Sequence, residues 1–139
     1  MKIAKSFYWE MGHRLPFHQG KCINLHGHSY RADIGLTGEP DANGILMDYY
    51  DLKILVAPLI ERMDHAFIVF SGDKELISLL EKMNSKMFLF DYQSTAENLC
   101  LLFVDEIKSN LPSNIETLTV RVRETSDTYA ETEHRLIHR

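Results

Sequence analysis

With 139 residues, 45% hydrophobic and 25% charged, the chain can build one domain with a modest core, and it is neither disordered nor membrane-embedded in composition. A formal charge of −5 and the lack of any Lys/Arg-rich block exclude a general nucleic-acid binder, which needs a basic surface to displace counterions. Two cysteines cannot make a disulfide framework, no run reaches the length of a transmembrane helix, and the first residues have no signal-peptide pattern, so a reducing cytoplasm is the expected setting.

Residues 2–12 read as a strand, because Ile3, Phe7, Trp9 and Met11 share one parity and His13 continues it. The next strand starts at His26, and the parity of His26 and His28 is shared by Tyr30, Ala32, Ile34 and Leu36. Gly38–Gly44 is rich in turn formers and is expected to close a hairpin. Asp48 is placed to cap a helix over 49–63, with Leu52, Val56, Leu59, Ile60 and Met63 on one stripe and Pro58 as a potential kink. A short apolar run at 66–70, a helix over 74–84 and a short strand over 86–92 follow. Ser94-Thr-Ala-Glu97 fits a capping box in which Ser94 caps a helix running to about residue 110. Leu111-Pro breaks the chain, Leu118, Val120 and Val122 alternate with polar residues in a strand, and a last strand covers about 127–136. The order of two strands, helices and two strands predicts a single α+β domain over 1–139: a small antiparallel sheet with helices on one face.

The chemistry concentrates on histidines. His26 and His28 project from the same face of a strand, and His13 projects from the apolar face of another, where an imidazole must be satisfied by something. Three neutral imidazoles from His13, His26 and His28 make a His₃ site with one position open, the pattern of catalytic zinc. Cys22, four residues before His26, is close enough in sequence to be a fourth ligand, which instead makes a closed structural site; spacing leaves both readings open. Asp64 directly precedes His65, and a carboxylate beside an imidazole fixes its tautomer if the turn lets them meet; the alternative is a capping Asp and a solvated His. Glu124 ends the apolar ladder of Leu118, Val120 and Val122, where it can pair with the N–H edge of a flat heterocycle or turn out to solvent. Arg14, Lys21, Arg121 and Arg123 leave room for a local basic patch that takes an anionic small molecule. His18, His134 and His138 show no convergent spacing, and Cys100 among leucines reads as a small core residue.

Together Gly12-His13-Arg14-Leu15, Cys22-x₃-His26-Gly-His28, Gly44-x₃-Asp48 with Leu52-Lys53, Asp64-His65, Ser94-Thr-Ala-Glu-Asn98 and Val122-Arg-Glu124-Thr125 resemble the 6-pyruvoyl-tetrahydropterin synthase / 6-carboxytetrahydropterin synthase family. The resemblance runs from Ile3 to about Glu131. It implies a T-fold, or tunnelling fold: a four-stranded antiparallel sheet with helices between two β-hairpins, closed into a barrel by assembly into trimers or hexamers. It implies zinc on His13, His26 and His28, Cys22 as the proton-shuttling base, and Asp64 with His65 as the rest of the relay. Glu124 then anchors the pterin, Ser94 and Thr95 edge its pocket, and active sites lie between subunits. The implied substrate is 7,8-dihydroneopterin triphosphate, with no nucleic-acid or membrane partner. Four residues from Cys22 to His26 look like the carboxy-forming type, which releases triphosphate and acetaldehyde and serves queuosine and other 7-deazaguanines. Pyruvoyl formation from the same substrate is the alternative reaction, and a noncatalytic zinc-stabilised assembly module is the alternative of another class. The stretch between His65 and Ser94 is longer than in compact members and adds a helix, Tyr92-Gln93 departs from the family pattern, and the tail after Glu131 has no assigned role.

Overall fold

A computed structural model describes residues 1–137, so His138 lies outside the described residues. Strand β1 (Lys2–His13) turns back through residues 14–25, which include a 3₁₀ turn at Lys21–Ile23, into β2 (His26–Gly38). Helix α1 (Tyr49–Met63), β3 (Ala66–Phe70), α2 (Lys74–Lys82), β4 (Met87–Phe90) and α3 (Ala96–Ile107) follow, and β5 (Ile115–Arg123) with β6 (Ala130–Arg135) completes the order. The strands form one sheet in the order β4-β3-β1-β2-β5-β6.

The expected antiparallel four are β1, β2, β5 and β6, with Trp9 opposite Tyr30, Ile34 opposite Val120 and Val122 opposite Ala130. The sheet is longer than expected because β3 and β4 add to it in parallel, β3 meeting β1 only at Met11 and Gly12. Alternation then decides what each face needs. Phe7, Trp9, Met11, Tyr30, Ile34 and Val120 share one buried face with Leu52, Val56 and Leu59 of α1 and Leu99, Phe103 and Ile107 of α3. Strands β3 and β4 carry apolar side chains on both faces, so they need cover on both. Ile68 and Phe90 join the main core, whereas Phe67, Val69 and Met87 pack with Leu76 and Leu80 of α2. Thus α1 and α3 share one face, and α2 lies on the other.

Asp48 caps α1 as the sequence predicts, its carboxylate accepting from the Tyr50 amide, and the helix runs unbroken through Pro58. Three local expectations change. Gly38–Gly44 leads from β2 into α1 and closes no hairpin, because β2 takes β5 as its second partner. Helix α3 is capped by Thr95, whose hydroxyl accepts from the Asn98 amide at 3.2 Å, and Ser94 is released for a tertiary contact. Helix α2 ends at Lys82, short of the expected residue 84. Among the described residues no helix is long and apolar enough to cross a membrane.

Candidate metal centre

The β1–β2 register puts His13 directly opposite His26, with Met11 opposite His28, so the three imidazoles meet on the helix-covered face. Ring centroids lie 4.6 Å apart for His13–His26, 5.2 Å for His13–His28 and 4.9 Å for His26–His28. One ligand nitrogen from each falls within 4.8 Å of the others. Among the described residues this is the one group of its kind, and no thiol or carboxylate belongs to it.

Hydrogen bonds fix the two outer nitrogens. His13 Nδ1 lies 3.0 Å from the Ser94 carbonyl oxygen and His26 Nδ1 lies 2.7 Å from that of Asn24. A carbonyl only accepts, so each ring carries its proton on Nδ1 and turns an Nε2 lone pair inward. His13 Nε2 is buried with no hydrogen-bond partner. An orphaned buried lone pair of this kind is what a divalent metal would satisfy. Burial, with smaller contributions from His26 and His28 and against the Ser94 hydrogen bond, pulls the His13 pKa down to about 4. Burial and then His26 lower that of His28. Both shifts favour, at His13 and His28, the neutral imidazole that a metal requires.

Cys22 sits half-buried as a free thiol in the 3₁₀ turn, where its carbonyl accepts from the Leu15 amide at 2.8 Å and pins the connection. Asp64 ends α1 and His65 takes a left-handed φ of +57°, the turn that lets neighbours face each other. His65 Nδ1 then lies 3.0 Å from Asp64 Oδ1. That oxygen also accepts from the Glu10 amide at 2.9 Å, and this bond first, then His65, holds the Asp64 carboxyl below its ordinary range. The pair enters β3, across β1 from β2, and no hydrogen bond or ring contact among the described residues links it to the three histidines.

Glu124 follows the last residue of β5, beside Tyr30, with Oε2 3.9 Å from His28 Nε2. Burial raises its pKa, Glu97 adds to the rise and His26 opposes it. It lines a cleft of about 350 Å³ with Phe17, Thr95, Glu97 and Tyr129. Ser94, one residue from Thr95, is buried and turned to His13, so the two predicted pocket-edge residues face different neighbours. A roomier groove of about 450 Å³ along β4 and α3 holds no histidine or cysteine, so size does not locate the chemistry. Of the four basic residues, Arg14 is paired with Asp73 and Arg121 with Glu131, while Arg121 and Arg123 both lie over the ring of Tyr129 on the cleft wall.

Residues 2–135 match the family described as 6-pyruvoyl tetrahydropterin synthase. The chain belongs to this family. The 6-carboxy-5,6,7,8-tetrahydropterin synthase of Haemophilus influenzae is 34% identical over 94% of this chain and 96% of its own length. The enzyme of that name from Aquifex aeolicus is 32% identical over the same shares. Among solved structures, the 6-pyruvoyl tetrahydropterin synthase of Plasmodium vivax superposes with a TM-score of 0.76 at 16% identity, covering 98% of this chain and 99% of that one. An uncharacterized protein of Wolinella succinogenes gives 0.80 at 18% identity, covering 95% and 97%. These likenesses show that the fold is that of the pterin synthases.

Within this pterin-synthase frame, the contacts that sequence reasoning missed are the carbonyls of Ser94 and Asn24, which orient two of the imidazoles. Neither carries a sequence signal, since every residue has a carbonyl. Tyr129 on the cleft wall was missed and Phe17, read with the other Phe residues as core, is exposed there instead: both lie in irregular connections where no periodicity assigns a side chain to a face.

Proposed function

We propose that this chain is a zinc-dependent 6-carboxy-5,6,7,8-tetrahydropterin synthase that converts 7,8-dihydroneopterin triphosphate, with loss of triphosphate and acetaldehyde, in cytoplasmic queuosine and 7-deazaguanine synthesis. The observation that carries it is the convergence of three imidazoles, one with an orphaned Nε2, beside a cleft lined by the half-buried carboxylate of Glu124. The names of the relatives and the four-residue spacing from Cys22 to His26 support the carboxy-forming reaction.

His13, His26 and His28 would hold the zinc, and the chemistry it supplies when bound is Lewis-acid polarisation of the substrate's side-chain hydroxyls. Glu124 accepts hydrogen bonds from the N–H edge of the pterin ring, and Thr95 borders the ring's pocket. Cys22, as thiolate, takes a proton from the substrate's side-chain carbon. Asp64 accepts from His65 Nδ1–H and leaves Nε2 to relay the proton. Asp64 and His65 enter β3, across β1 from His26 and His28, with His65 and His28 lining one cleft, and a neighbouring copy in a trimer or hexamer would complete each site. Cys22, Asp64, His65 and Glu124 are all present in the sequence, which disfavours a noncatalytic assembly module.

The test is incubation of purified protein with 7,8-dihydroneopterin triphosphate and identification of the pterin product. Carboxytetrahydropterin with acetaldehyde is expected. Pyruvoyl-tetrahydropterin in its place would assign the other reaction of the family, and unchanged substrate would reject the enzymatic reading.

A further inference from the structure

Gly12 and His13, the last two residues of β1, and Arg14 just after them are each held by a different part of the stretch that runs from β3 to the start of α3. The Phe67 ring of β3 lies against Gly12, where an added Cβ would come within 2.7 Å of Phe67 Cζ. Ser94, just past β4, accepts from His13 Nδ1 through its carbonyl at 3.0 Å. Asp73, the N-cap of α2, takes both arms of the Arg14 guanidinium, at 2.7 Å to Nε and 2.6 Å to a terminal nitrogen. Phe67, Asp73 and Ser94 thus grip Gly12, His13 and Arg14 in turn.

We propose that the β3–α2–β4 excursion is the seat of the metal centre, and that Asp73, acting through Arg14, is a positioning residue for His13. This rests on the reading of the triad as a zinc site. A strand end frays unless something beyond it is tied down. The β1 ladder ends at His13; the connection beyond it is tied across itself by the Leu15 amide on the Cys22 carbonyl and to the rest of the fold by Arg14 on Asp73. Arg14 is the first residue outside that ladder, and its planar fork matches a carboxylate in two places at once, which fixes direction as well as distance. The Asp73 side chain is 6% exposed and that of Arg14 20%, so water competes weakly for the pair. Helix α2 itself packs only on a small cluster of Val69, Leu76 and Leu80 with Phe67, Ile77 and Met87, on the face away from the triad. Its N-terminus reaches the metal strand through Asp73. Glu75 also faces Arg14, at 3.8 Å, but is 90% exposed and supplies no second clamp.

The experiment compares wild type, Asp73→Asn, Arg14→Lys and Glu75→Gln as full chains freed of metal. Zinc affinity is read by chelator competition, and the ligand field by the visible spectrum of the cobalt(II)-loaded protein. Asparagine still caps α2 at the Leu76 amide, so Asp73→Asn removes the charge and the fork while sparing the helix. Expected are an about tenfold loss of zinc affinity and an altered cobalt spectrum in Asp73→Asn and Arg14→Lys, the scale of a lost outer partner. Glu75→Gln should match wild type. A merely structural clamp would lower thermal stability and leave affinity and spectrum as in wild type, and that result overturns the proposal. If Asp73→Asn does not fold, Arg14→Lys, which keeps the charge and loses the fork, decides alone. Failure of the wild-type protein to take up zinc or cobalt would strike the zinc reading itself, a result distinguishable from intact binding in every variant.

Discussion

At the scale of single residues, the proposed mechanism separates holding from reacting. Each of His13 and His26 spends one nitrogen on a backbone carbonyl and keeps the other for a ligand. Cys22 lies in a different local structure, the 3₁₀ turn, and is not among the grouped ligands. Cys22→Ala is therefore expected to lower turnover at least about 10²-fold, the scale of a lost general base, while zinc content measured by elemental analysis stays at the wild-type level. Loss of the metal along with turnover would make the thiol a ligand and contradict the assigned role. Strand parity alone already put His13, His26 and His28 on apolar faces, because alternation is a property of the local chain. The meeting of Asp64 with His65 was not legible: it depends on a left-handed backbone at His65, a conformation that residue type alone does not fix outside glycine.

Elements show where local signals compete. Ser94 and Thr95 both have hydroxyls fit to cap a helix, and the Ser-Thr-Ala-Glu motif points to Ser94. The fold gives the cap to Thr95 because Ser94 is drawn to His13, 81 residues away in the chain, a partner that local reading cannot supply. Thr95→Ala should consequently destabilise the protein by about 1 kcal/mol in denaturant unfolding. Ser94→Ala should leave the cap intact; unchanged stability in Thr95→Ala would contradict the assignment of the cap to Thr95. The amphipathic stripe of α1 and the alternation of β5 were legible because each has one buried face. The placement of α2 was not, because β3 and β4 are apolar on both sides and periodicity is silent about which side a helix covers.

For the whole molecule, the order of strands and helices was enough to expect an antiparallel sheet backed by helices, and β1-β2-β5-β6 provides it. What composition and pattern could not show is that the sheet stays open in one chain, with Lys2–Trp9 of β1 lacking β3 pairing and β6 at the far edge. Unpaired edges of this kind invite a second copy, and in the proposed mechanism that copy would bring its Asp64 and His65 to the triad of its neighbour. Mixing inactive Cys22→Ala and His65→Ala chains and reassembling them should thus restore part of the turnover, because some sites receive both intact halves. No recovery, with mixed oligomers shown to form, would place both residues in one chain's site. The most direct measurement of all is zinc content set against turnover of 7,8-dihydroneopterin triphosphate. The account predicts one zinc per chain, loss of turnover when a chelator strips it, and recovery on adding it back; protein free of metal and still fully active would contradict it.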